Sequence, residues 1–127
     1  NDTSLVLRAV HDRGESILLP GDAGEIPQAA LAAGDANRLR CDVLVLPHHG
    51  SWSDALPAFH RAARPRATLV SRASEPRVPA SGSKATTRAA GDFYARLQRS
   101  DQYCSTARRG WIRASVFAGE VKIETMR

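Results

Sequence analysis

The chain has 127 residues, enough for one domain with a buried core and too few for two. No apolar run is long enough to cross a membrane, and no segment has the basic and apolar plan of a signal peptide. The formal charge of +5 is unevenly placed: residues 61–113 hold twelve Arg or Lys against Glu75, Asp92 and Asp101, a local net of +9, while the remainder nets −4. Arginine supplies nearly all of that charge, and its planar fork suits phosphate oxygens, so a polyanionic substrate such as DNA is one reading. A codon bias toward Arg is the other. Cys41 and Cys104 have neither metal-ligand nor disulfide-framework spacing and read as free core or near-core thiols, with a bridge between them as the minor alternative.

In chain order, Ser4 to Val10 reads as a strand, and His11 to Gly14 as a hairpin turn into a second strand, Glu15 to Leu19. His11 belongs to the turn and should be solvated. Pro20, Gly21 and Asp22 follow, then a helix from Glu25 to Ala33 with Ile26, Ala29, Ala30 and Ala33 as its apolar face and Gly34 as its stop. Arg38 to Arg40 lead into Asp42 to Leu46, a nearly continuous apolar run of the kind buried on both faces of a sheet, which Pro47 ends. After His48, His49, Gly50 and Ser51, Ser53 is positioned to cap a helix from Asp54 to Ala63 with Leu56, Phe59 and Ala63 inward and His60 at the surface. A strand from Arg66 to Ser71, an aperiodic loop from Arg72 to Ser83 and a helix from Lys84 to Arg99, with Ala85, Ala89, Phe93 and Leu97 inward, come next. Three short strands close the chain, Gln102 to Ser105, Trp111 to Phe117 and Glu120 to Thr125, the last two joined by a turn at Ala118 and Gly119.

Two strands thus deliver a carboxylate, Asp22, and an imidazole pair, His48 and His49, from loops at one edge of a sheet. That edge is where α/β sheets bind ligands, and carboxylate oxygen with neutral imidazole is the usual donor set of a divalent metal. Taken singly, Asp22 is also an ordinary turn residue and the histidines ordinary loop residues.

The segments NDTSLVL (Asn1 to Leu7), ILLPGD (Ile17 to Asp22) and DVLVLPHHGSWS (Asp42 to Ser53) resemble, in order, three segments of the metallo-β-lactamase superfamily, most closely its ComEC-type domains of competence DNA uptake. The His-His-Gly-Ser element is the specific one. The resemblance implies an α/β fold, half of an αββα sandwich with a mixed sheet and flanking helices, and two divalent ions, zinc or manganese, in the intact domain. Asp22 matches the metal-bridging aspartate and His48 the last histidine ligand. His49 is either an alternative ligand or the donor that orients substrate or ligand, and Ser51, Arg72 and Arg77 are candidates for binding phosphate. The family's first motif, His-x-His-x-Asp-His or His-x-Asp-x-Asp-His, is absent here, and the chain opens on Asn1. It is therefore read as the C-terminal part of one domain, with the N-terminal half of that domain as its partner.

Two departures stand out: Arg72 to Pro79 reads RASEPRVP without the family's histidine, and Ala23 follows the Gly-Asp where Ile or Leu is commoner. Thr106 to Ile112, TARRGWI, resembles the family's closing Thr-x-x-x-Gly-x-Ile strand, with Trp111 either packed on the sheet or, beside Arg108 and Arg109, facing a nucleotide. The implied activity is metal-dependent hydrolysis of DNA phosphodiesters outside the cytoplasmic membrane, on a membrane-channel polypeptide or a free relative of it. The alternatives are a non-catalytic module that binds nucleic acid or the channel, a superfamily hydrolase of small molecules, and a cytoplasmic location.

Overall fold

A computed structural model describes residues 3–76, 78–80 and 82–126. The chain is mixed α/β. Its main sheet has five strands in sequence order, β1 (Leu7–Val10), β2 (Ser16–Leu19), β3 (Val43–Val45), β4 (Ala67–Val70) and β5 (Tyr103–Ser105). β1 and β2 form an antiparallel hairpin, while β2 to β5 run parallel. Helices α1 (Glu25–Ala33), α2 (Ala36–Leu39), α3 (Leu56–Ala63) and α4 (Lys84–Gln98) occupy the crossovers, as parallel pairing requires. A one-turn helix α5 (Thr106–Arg109) leads to a separate hairpin of β6 (Trp111–Phe117) and β7 (Glu120–Met126), closed by Ala118 and Gly119 in left-handed conformation.

The two faces of the sheet differ. Leu18, Leu44, Thr68 and Tyr103 are paired across four strands in one row. All but Thr68 join a buried cluster with Leu46, Val70, Leu56, Phe59, Ala63, Ala90, Phe93, Tyr94 and Leu97, so α3 and α4 cover this face. On the other face the rows are also apolar: Ala9, Ile17, Val43 and Ala67, then Leu7 with Leu19 and Val45 with Leu69 and Cys104. The β6–β7 hairpin reaches the first of these rows. Arg66 Nη1 donates to the Gly119 carbonyl, the Gly119 amide donates to Glu15 Oε1 at 2.9 Å, and Val116 shares a pocket with Ala9 and Ile17. Toward the far end of that face Leu7 is 51% and Leu19 39% exposed.

Element boundaries follow the sequence reading with local shifts. The first strand starts at Leu7, because the Ser4 hydroxyl is diverted to accept the Asp22 amide at 2.9 Å. Arg38 to Arg40 do not run straight into the central strand; one helical turn, capped by Asp35 Oδ1 on the Asn37 amide, precedes it. Ser53 does not cap α3, which starts at Leu56, since its hydroxyl donates to Gln28 Oε1 at 2.7 Å. The α1 face is turned from the expected one: Ile26, Ala29, Ala30 and Ala33 face solvent, while Gln28, Leu31 and Ala32 face inward. Gln28, Leu31 and Ala32 repeat the i, i+3, i+4 spacing of the expected face, and the Gln28 amide is satisfied inside by the Ala23 carbonyl and Ser53. In α4, Ala90, Phe93, Tyr94 and Leu97 are buried, but Ala85 and Ala89 are exposed. A strict i, i+4 series drifts by about 40° per step, so it cannot stay on one face for four residues. Both cysteines are buried and free.

His60 is not a surface residue. Its Nε2 lies 3.0 Å from Thr68 Oγ1, a polar group in the core-facing row, and its ring packs edge-on against Phe93 at 5.6 Å. Burial, with the Arg96 guanidinium adding to it, pushes the imidazole pKa down to about 4. The ordinary value near 6.5 holds in the unfolded chain, so the neutral ring's contribution is complete above about pH 6.5 and is lost as pH falls through about 4. Acidification from pH 7 to 4 should cost on the order of 2–3 kcal/mol through this residue. His60→Gln, which keeps a hydrogen bond to Thr68, is expected to flatten the dependence in urea unfolding at the two pH values. An unchanged slope would overturn this assignment.

Candidate functional site

The carboxyl ends of β2 and β3 form the site. Gly21 turns the chain at φ 56 with no room for a Cβ, which would meet the Ser4 hydroxyl at 3.0 Å and the Leu5 carbonyl at 3.2 Å. The turn presents Asp22. Beyond β3, Pro47 to Gly50 form a tight turn in which His48 (φ 48, ψ 43), His49 (φ 54, ψ 28) and Gly50 (φ 71) are all left-handed. Two successive non-glycine residues in that region cost roughly 1–2 kcal/mol each and persist only where neighbours enforce them. Here the His48 amide donates to the Gly21 carbonyl at 2.9 Å, the Ser51 amide to the His48 carbonyl at 2.9 Å, and the Tyr94 hydroxyl to the Gly50 carbonyl at 2.8 Å.

The strained turn sets one imidazole against the carboxylate. His49 Nε2 lies 3.5 Å from Asp22 Oδ1, and His49 Nδ1 lies 2.9 Å from the Ser71 carbonyl oxygen. A carbonyl only accepts, so Nδ1 carries the hydrogen and Nε2 of the neutral ring directs a lone pair at Asp22. Two acceptors then face one another, an arrangement that a proton on Nε2 or a cation between them resolves. A backbone carbonyl fixing the far nitrogen is the usual orientation of a metal-binding histidine. A separation of 3.5 Å suits neighbouring ligands about one ion with bonds of roughly 2 Å. Both side chains are about half exposed or more, so the pair opens to solvent.

These two donors are a partial set. Among the described residues no three His, Cys, Asp or Glu side chains gather as a metal site. The sequence reading took His48 as the ligand and His49 as the alternative; the structure sets His49 against Asp22, and the His48 amide donates to the Gly21 carbonyl. Arg72 reaches the same turn, its Nη1 donating to the His49 carbonyl at 3.3 Å, and Thr106 clamps the Arg72 backbone at 2.8 and 2.7 Å. Ser51 sits directly after the turn. Arg77 lies outside the described residues. Trp111 is 53% exposed, and Arg108 turns to Glu75, 3.4 Å away, and to the Tyr103 ring.

The roles of Gln28, Ser71 and Tyr94 escaped sequence reading. Gln28 Nε2 holds the Ala23 carbonyl at 2.6 Å while its Oε1 accepts from Ser53, so one buried amide joins the Asp22 loop to the segment after the histidines. Gln28 lies opposite the apolar face expected from sequence, so the sequence carried no signal of this role. Tyr94 stands one place after Phe93 in the α4 stripe and carries no signal of its partner.

Comparison with protein-family models, curated proteins and solved structures finds no match to this chain.

A Cβ on Gly50 would lie 3.2 Å from Val70 Cγ1 and 3.4 Å from Pro76 Cγ, at a φ that disfavours any side chain. Gly50→Ala is therefore expected to cost about 1–3 kcal/mol. His49→Gly, which relieves a left-handed non-glycine residue, should stay within about 1 kcal/mol of the parent. Denaturant unfolding compares them, and equal losses would overturn the placing of strain at His49.

Proposed function

We propose that the chain is part of a metal-dependent hydrolase domain of the metallo-β-lactamase type that cleaves DNA phosphodiester bonds. The observation that carries this reading is the Asp22–His49 pair, with His49 Nε2 and Asp22 Oδ1 3.5 Å apart and the imidazole oriented by the Ser71 carbonyl. Asp22 and His49 would hold one edge of a divalent centre of zinc or manganese, with His48 as a neighbouring donor. Such a centre activates water and stabilises the charge that develops on phosphate. Its remaining ligands would come from the N-terminal half of the domain, outside these 127 residues. The half-exposed apolar row at Leu7 and Leu19 supports that partner, since a second layer there would remove it from water.

Arg72, which reaches the His49 turn, would meet the DNA backbone, and Ser51 would donate to a phosphate oxygen. By the resemblance, the parent protein acts in competence-type uptake at the outer face of the cytoplasmic membrane, attached to a channel. No helix among the described residues is long and apolar enough to cross a membrane, so any anchoring segment would lie elsewhere.

The test is manganese- or zinc-dependent degradation of linear DNA by the full-length parent protein. Asp22→Ala and His49→Ala should each lower the rate by roughly 100-fold or more with the fold retained. Retained cleavage in both variants would remove the assigned roles. A parent protein that cleaves no DNA with either metal but binds it in a salt-sensitive manner would instead be a non-catalytic binding module.

A further inference from the structure

A concavity lies at the opposite end of the parallel strands from Asp22 and His49. It is a cleft of about 380 Å³ between α3, α4 and the residues that enter β4 and β5. That volume is in the range of small-molecule sites. Phe93 and Leu97, both nearly fully buried, form its base with Pro57 and Pro65. His60 and Thr68 satisfy one another inside it, and no acidic residue lines it.

The charge around the cleft is arginine. Arg66 is occupied by Asp42 and the Gly119 carbonyl. Arg61 and Arg96 are exposed at the cleft and have no carboxylate partner among the described residues, whereas Arg38, Arg66, Arg88, Arg108 and Arg113 each have one within 3.9 Å. Asp92, one turn before Arg96 on the same helix, pairs with Arg88 instead. Two cations without partners thus stand over an apolar base too large for a bare inorganic anion. Their planar forks suit an oxyanion, and the base suits a flat hydrocarbon or aromatic body.

We propose that this cleft binds a small organic anion, an aromatic or similarly flat body carrying one phosphate or carboxylate group, with Arg61 and Arg96 holding the anionic head over Phe93 and Leu97. The proposal stands independently of any hydrolase activity.

Titration of the full chain with phenyl phosphate and with benzoate, followed through the His60 ring-proton resonances, tests it. Saturable shifts are expected with at least one of the two, and the tighter probe identifies the preferred head group. Arg61→Ala and Arg96→Ala should each weaken binding roughly tenfold, the scale of one charge-assisted hydrogen bond. Both side chains are exposed, and Arg→Lys at each position keeps the charge and should recover part of the affinity. Absence of saturation with either probe, affinity unaffected by the Ala variants, or inorganic phosphate binding as tightly as phenyl phosphate would overturn the proposal.

Discussion

One main-chain hydrogen bond, from the His48 amide to the Gly21 carbonyl, extends the parallel pairing of β2 and β3 beyond the last residues of both strands. Without it the loops after the two strands would diverge, as loops leaving parallel strands are free to do. With it, and with Gln28 joining Ala23 to Ser53 inside the protein, Asp22 and His49 meet across two loops separated by a helix and a helical turn. The pair is therefore positioned by the scaffold rather than by its own attraction. Such an exposed contact contributes little to stability in its own right.

The turn that carries the histidines is costly to form and is held from several sides. Left-handed backbone at His48 and His49 would relax in an isolated peptide, but Tyr94, Ser71 and Gly21 hold its carbonyls, ring and amide. Tyr94 and Phe93 come from the helix that also covers the core, so packing of α4 is coupled directly to the shape of the turn. Burial pushes the Tyr94 hydroxyl up to about 12, so it remains a hydrogen-bond donor across the physiological range.

Parallel strands give the molecule two chemically different ends. At the carboxyl ends, a carboxylate and an imidazole face one another and Arg72 supplies the nearby cation. At the amino ends, Arg61 and Arg96 surround an apolar base, and the one titratable ring there is kept neutral at physiological pH. The basic character spread along residues 61–113 is thereby divided in space. Some arginines are consumed by carboxylates, as Arg108 is by Glu75, and others are left to meet a ligand.

The sequence alone determined the order of the seven strands and the three longer helices, the buried central strand, the closing hairpin and the placing of Asp22 and the histidine pair at strand ends. These depend on local patterning, with apolar runs stopped by proline and turns marked by glycine, and such patterning is readable from neighbours in the chain. Only the tertiary structure decided which face of α1 is buried, that His60 answers a polar group in the sheet, and that His49 meets Asp22. Each of these depends on a partner far away in sequence: Ser53 for Gln28, Thr68 on the neighbouring strand for His60, and Ser71 for His49. Adjacent histidines have the same composition and nearly the same position, and it is the left-handed turn, a property of the packed chain, that aims one of them at the carboxylate.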